Sequence, residues 1–115
     1  MHEMSLAGGI LRVVEDARMR DPFNRVSQIT IEAGALAGVD VAALRFALEA
    51  MAPGTVLEGA TIAIDQPPAQ AWCMPCAQTV TIASRLDDCP RCGSAQVQPT
   101  GGHELKVRDL VVHDD

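Results

Sequence analysis

The chain has 115 residues, a formal net charge of -6 and about half its residues apolar, which bounds it to one ordinary domain or a small domain plus a stapled subdomain. The acidic balance argues against nucleic acid, whose affinity comes from Lys and Arg on phosphates, and against anionic membrane surfaces. No run approaches the roughly 20 apolar residues of a transmembrane helix, and the acid near the start excludes the basic segment that opens a secretory signal.

The first element is an amphipathic helix over about residues 4–20. Leu6, Ile10, Val13, Val14 and Ala17 recur at helical spacing, with Arg12, Glu15, Asp16 and Arg18 opposite. Gly8 and Gly9 weaken it and point to close packing, and Asp21-Pro22 ends it. A strand follows from Arg25 to Gly34, with Ile29, Ile31 and Ala33 on a buried face and Gln28, Thr30 and Glu32 on a wet one. Asp40 then stands as N-cap before VAALRFALEAM, whose Val41, Leu44, Ala47, Leu48 and Met51 form an apolar stripe. Pro53-Gly54 stops this second helix. Ala60–Asp65 reads as a second strand carrying Ile62 and Ile64.

At QPPAQAWC the texture changes. Residues 72–98 hold all four cysteines and little periodic apolar pattern, so this insert is expected to lack a core of its own. A third strand spans Glu104–Val112, with a phase switch near Asp109 that suggests a bulge. The order predicts an α+β fold: two helices on a small three-stranded sheet, with a zinc-ribbon-like four-cysteine lobe inserted between strands. The expected domains are 1–68 with 99–115, and 69–98.

Cys73-Met74-Pro75-Cys76 and Cys89-Pro90-Arg91-Cys92-Gly93 are the strongest motif. Two C-x-x-C knuckles, whose turn N–H groups can face the sulfurs, build a closed tetrahedral thiolate site of the structural zinc kind. A rubredoxin-like iron site, a redox pair and two disulfides are the alternatives; a reducing cytosol disfavours the last. A segment without a core needs a metal to fold, and a closed site leaves no open position for catalysis.

The opening MHE is a second candidate. A bulky His2 generally prevents removal of the initiator methionine, so the terminal amine belongs to Met1. That amine, the His2 backbone nitrogen and His2 Nδ1 can close two chelate rings on one ion, a planar nitrogen-rich set suited to Ni²⁺ or Cu²⁺. Glu3 could add a ligand. On chemistry alone the plainer reading stays open: His2 on the surface, Glu3 as a first-turn helix acid and Asp40 as a cap. His103 and His113 read as strand-flank residues, and Met4 and Met51 as core.

With these motifs in hand, the sequence resembles the HypA/HybF nickel metallochaperones of NiFe-hydrogenase maturation. The resemblance rests on MHEMSL, GALAGVDVAALRFALE, WCMPC with CPRCGS, and the closing GHELKVRDLVV, and it covers essentially the whole chain. It implies a nickel-binding α+β domain with an inserted zinc lobe. It implies that His2 is the indispensable nickel ligand, that Glu3 neighbours it, and that Asp40 is a further nickel ligand or site residue. Cys73, Cys76, Cys89 and Cys92 match the zinc ligands. The implied role is delivery of Ni(II) to the hydrogenase large-subunit precursor with a HypB-type GTPase, in the cytoplasm; related proteins also feed urease maturation proteins. Two rivals remain: a zinc-ribbon module for protein interaction or nucleic acid, and a metal-dependent enzyme. The first lacks a basic face and stacking aromatics, since Phe23, Phe46 and Trp72 are the whole aromatic set. The second lacks a Ser/His/Asp set with recognisable spacing.

Overall fold

The computed structural model describes residues 2–114. The elements run α1 (Glu3–Arg20), β1 (Arg25–Ala33), α2 (Val41–Met51), β2 (Thr61–Asp65), β3 (Ala69–Cys73), β4 (Gln78–Ile82), β5 (Val97–Pro99) and β6 (Leu105–His113). They form two three-stranded sheets, ordered β2-β1-β6 and β4-β3-β5. The chain divides into two compact units: Met1–Ile31 with Val39–Ile64 and Lys106–Asp115, and Glu32–Gly38 with Asp65–Leu105.

In the first unit α1 packs against α2. α1 carries Glu3 in its first turn and Arg18 and Arg20 in its last, charges that suit the helix dipole. Its buried face is Ala7, Ile10 and Val14. This is rotated from the expected stripe: Val13 points outward, half exposed, and Ala7 takes its place. A Cβ on Gly8 or Gly9 would meet nothing within 4 Å, so neither glycine serves close packing. α2 buries Leu44, Ala47 and Leu48 as its pattern requires. The Arg45 guanidinium donates to the Ile62 carbonyl of β2.

β1 is the central strand of its sheet. Ile29, Ile31 and Ala33 are buried as expected, but so is Thr30, assigned above to the wet face. The Thr30 hydroxyl accepts a hydrogen bond from Gln28 Nε2 at 3.4 Å, so its polar atom is not buried without a partner. In β6, burial alternates through Val107. It changes phase where Arg108 and Asp109 are both exposed and Leu110 is half-buried.

The second unit corrects the expectation of a core-less insert. Leu36, Ala69, Ala71, Cys73, Val80, Ile82 and Cys89 form a buried cluster of their own. β3 pairs antiparallel with β4 (Ala71 opposite Val80) and with β5 (Cys73 opposite Val97). The chain passes close to β3 at Ala69: a Cβ on Gly102 would lie 2.6 Å from the Ala69 Cβ. Gly34 N–H donates to the Glu104 carbonyl at 2.8 Å, and Leu36 N–H to the Gly102 carbonyl at 2.8 Å. A Cβ on Gly34 would lie 2.2 Å from the Gly102 oxygen, a clash with backbone that cannot swing aside.

Candidate metal centres

The four cysteines arrive from the end of β3, the turn after it and a second turn before β5. The two turns share one geometry. In the first, Ala77 N–H donates to the Cys73 carbonyl at 2.9 Å and Ala77 adopts a φ of 52°. In the second, Gly93 N–H donates to the Cys89 carbonyl at 2.8 Å and Gly93 has a φ of 75°. Each knuckle thus closes with a left-handed residue four places after its first cysteine. Glycine takes that conformation freely and alanine does not. The sequence advertised the second closure through Gly93; nothing in the residue type advertised the first. Cross-links orient both turns: Met74 N–H to the Gln96 carbonyl at 3.0 Å, and Cys89 N–H to the Ser94 carbonyl at 2.8 Å.

All four Sγ atoms lie within 4.8 Å of one another. Cys73 Sγ is 3.6 Å from Cys92 Sγ, and Cys76 Sγ is 3.9 Å from Cys89 Sγ. A tetrahedral site with metal–sulfur bonds of about 2.3 Å has sulfur–sulfur edges of about 3.8 Å. The observed separations bracket that edge, and all four cysteines are free of disulfides. The donor set fits a soft divalent ion with four thiolates.

The thiols are tuned unequally. The Cys89 thiol is lowered to about 6, chiefly because the Cys92 backbone N–H faces its sulfur. Arg91 N–H, 3.4 Å from the same sulfur, adds to this. The Cys76 thiol is pushed up to about 12, first by sharing protons with Cys92 and Cys73, then by burial. At Cys73 the Cys76 N–H favours the thiolate, but desolvation and the neighbouring Cys89 and Cys92 outweigh it and raise the pKa. Four sulfurs this close resist ionising together without a cation, so metal loading must expel protons.

The second candidate centre lies at the helix N-termini of the first unit. His2 is the exposed N-cap of α1; its carbonyl accepts from Leu6 N–H at 2.9 Å and its side chain makes no capping bond. Glu3 is brought to Asp40: the Asp40 backbone N–H donates to Glu3 Oε2 at 3.3 Å. That contact is the first reason the Glu3 carboxyl sits below its ordinary range, with its own backbone N–H the next. Asp40 is also the N-cap of α2, Oδ1 accepting from Ala43 N–H at 3.1 Å. Of the sequence candidates, Glu3 and Asp40 are therefore adjacent in space. Among the described residues, the four cysteines are the only such set of three or more with all ligand atoms within 4.8 Å. Met1, whose amine the sequence reading assigns to the chelate, lies outside the described residues.

Met4 departs from expectation. It is 55% exposed, not core, and lines a groove with Phe46, Ala43 and Ala47 beside Glu3. Met51 is half-buried. His113 Nε2 lies 2.9 Å from Ser27 Oγ, a structural pairing across the sheet, and His103 is exposed.

Comparison with known proteins now decides the family. Residues 1–112 match the family model described as "HypA: Hydrogenase/urease nickel incorporation, metallochaperone". The chain belongs to the HypA family. It is 57% identical to the hydrogenase maturation factor HypA of Polaromonas naphthalenivorans, covering 100% of both chains. It is 55% identical to that of Cupriavidus necator, over 99% of this chain and 96% of that one. Its fold is similar to the solution structure of the nickel metallochaperone HypA from Helicobacter pylori (TM-score 0.70, 19% identity, 100% of both chains), a likeness that speaks to fold alone. The two helices, the three-stranded sheet β2-β1-β6 and the clustered cysteines expected from the sequence are all present, and a second sheet, β4-β3-β5, is added to them. The HypA family is one of metallochaperones, maturation factors that carry nickel and do not catalyse a reaction. No described helix is long and apolar enough to cross a membrane.

Proposed function

We propose that this chain carries Ni(II) on its N-terminal Met-His-Glu and delivers it to the large-subunit precursor of NiFe hydrogenase, together with a HypB-type GTPase. His2 is the indispensable ligand, acting with the terminal amine and backbone nitrogens. Glu3 and Asp40 complete or support the site. Cys73, Cys76, Cys89 and Cys92 hold Zn(II) as a resident structural ion. The work takes place in the cytoplasm, where the four thiols stay reduced. Urease maturation proteins are further recipients where urease is made.

The observation that supports this reading most is the Glu3–Asp40 hydrogen bond, 37 residues apart in sequence. It ties the first turn of α1 to the N-cap of α2, so Glu3 of the MHE motif and Asp40 share one surface. An exposed few-ligand site on a chain terminus gives up its ion readily, as a carrier must. A closed four-sulfur site does not. The nickel is cargo and the sulfur-bound ion is a component.

In a strain lacking this protein, hydrogenase activity is expected to fall and to return with the wild-type chain or with excess nickel, but not with His2→Ala. Full restoration by His2→Ala at equal protein level would overturn the assignment.

A further inference from the structure

The sulfurs of the two cysteine knuckles meet in pairs. Cys73 Sγ lies 3.6 Å from Cys92 Sγ, and Cys76 Sγ lies 3.9 Å from Cys89 Sγ. Both contacts cross from one knuckle to the other, and together they use each cysteine once. A disulfide bond is about 2 Å long, so each pair stands within about 2 Å of bonding distance. Access differs among the four. Cys73 and Cys89 are buried, Cys76 is half-buried and Cys92 is exposed. Sulfur oxidation follows thiolate character and exposure together. Metal binding supplies the first at all four sulfurs, and Cys92 combines it with open access.

We propose that Cys92 is a peroxide-reactive modification site, whose oxidation converts the metal cross-link between the knuckles into two disulfides, Cys73–Cys92 and Cys76–Cys89. The Cys92 thiolate attacks one oxygen of hydrogen peroxide. The O–O bond breaks, hydroxide leaves and Cys92 becomes a sulfenic acid. The neighbouring Cys73 thiolate then attacks the Cys92 sulfur. The S–S bond forms, the S–O bond breaks and a second hydroxide leaves. Each sulfur has given up one electron, and one peroxide has taken both. A second peroxide joins Cys76 to Cys89 by the same two steps. Only thiolate sulfur is a metal ligand, so the ion leaves with its charge unchanged.

The crossed pairing decides what happens to the fold. A disulfide inside one knuckle would close a very short loop and leave the knuckles unconnected. The Cys73–Cys92 bond joins residues 19 apart and ties the end of β3 to the second turn, as the ion does. A longer closed loop removes more freedom from the unfolded chain. The oxidised unit therefore keeps its strands without metal, whereas the reduced, metal-free unit does not. Thiol–disulfide exchange with a dithiol reductant reverses both bonds and returns the four thiolates. The inference rests on the four cysteines holding the structural ion and is independent of the nickel reading.

The test treats the zinc-loaded full chain with hydrogen peroxide while a chelating dye reads released zinc, the metal content being fixed beforehand by elemental analysis. Dimedone present with limiting peroxide is expected to label Cys92 ahead of the other three cysteines. With peroxide in excess, one zinc per chain is expected to be released. Peptide mapping after alkylation is expected to show Cys73 linked to Cys92 first and Cys76 to Cys89 second. The oxidised chain is expected to keep the dispersed NMR signals of β3, β4 and β5, and dithiothreitol with added zinc to return the starting spectrum. Zinc retained in excess peroxide overturns the proposal. So do first labelling at another cysteine, disulfides within a knuckle or between chains, and loss of the β3, β4 and β5 signals on oxidation. A chain that holds no metal at the outset refutes the metal reading itself, an outcome distinct from a loaded chain that peroxide fails to empty.

Discussion

The two units of the chain solve the problem of stability differently. Of the largest fully buried side chains, Val14, Val26, Ile29, Ile31, Leu44, Leu48 and Leu57 belong to the first unit, and the second contributes only Cys73. The first unit is held by packed aliphatic groups from two helices and a sheet. The second has a cluster of seven buried residues, two of them cysteines of the metal set and two of them alanines. A core that small offsets little of the chain entropy of ordering its strands. The four-sulfur ion is expected to supply the difference. One unit is thus autonomous in its packing, with Glu3 and Asp40, the proposed nickel-site residues, on its exposed surface; the other builds two of its four clustered cysteines, Cys73 and Cys89, into its core.

The largest effect expected from this contrast comes from removing that ion. Structural zinc sites contribute on the order of 10 kcal/mol or more to folding. A strong chelator, or Cys73→Ser, should abolish the dispersed NMR signals of β3, β4 and β5 while leaving those of α1 and α2 in place. Retention of the whole spectrum without metal would show that the small core suffices. Because binding displaces thiol protons, zinc affinity should rise with pH. Cys89, lowered to about 6, should ionise first, and Cys76, raised to about 12, should give up its proton only to the metal.

Leu44→Ala sharpens the same contrast from the other side. Leu44 is fully buried in the first unit, and truncation should cost about 2–5 kcal/mol there. Chemical denaturation should show that loss, with the zinc content unchanged.

Legibility in the sequence followed the same division. Strong periodicity marked α1, α2, β1, β2 and β6, and the Asp40 cap and the cysteine set were readable from residue type and spacing. In the second unit the signal was weak, because its buried positions are small. In AQAWC the buried residues are Ala69, Ala71 and Cys73, while the one large residue, Trp72, faces outward. β4 does alternate, Val80 and Ile82 inward against Thr79 and Thr81, but over too few residues to stand apart from the cysteine loops. Leu36, a core residue of the second unit, sits more than thirty residues before β3 and could be placed only by the fold. Met4 was misread because its helical spacing suits burial, yet it lines the groove beside Glu3.

Smaller effects separate two roles of Asp40. Asp40→Ala removes the α2 cap and should cost about 1 kcal/mol by denaturation, whereas Asp40→Asn keeps a capping oxygen and should cost a few tenths. Asn is also a poorer nickel ligand than a carboxylate, so Asp40→Asn should lower nickel affinity only if the side chain touches the ion. Equal affinity of wild type and Asp40→Asn would confine Asp40 to capping and to its backbone contact with Glu3.

Smallest is the acid response of that contact. The folded Glu3 pKa is lowered, so the stabilisation is present above the ordinary glutamate range and disappears as pH falls through the lowered folded value. An NMR titration should place the Glu3 midpoint below its ordinary value of 4.5. Asp40→Pro, which removes the donating N–H, should move that midpoint back up. A midpoint already at 4.5 in the wild type would mean the contact is not made in solution.

Nickel titration of three zinc-loaded proteins tests the central claim most directly: the wild type, His2→Ala, and a version with two residues added ahead of Met1, any purification tag being at the other end. One nickel should bind the wild type, with affinity lost in His2→Ala and strongly reduced in the extended chain. Equal one-to-one binding by all three would contradict the account.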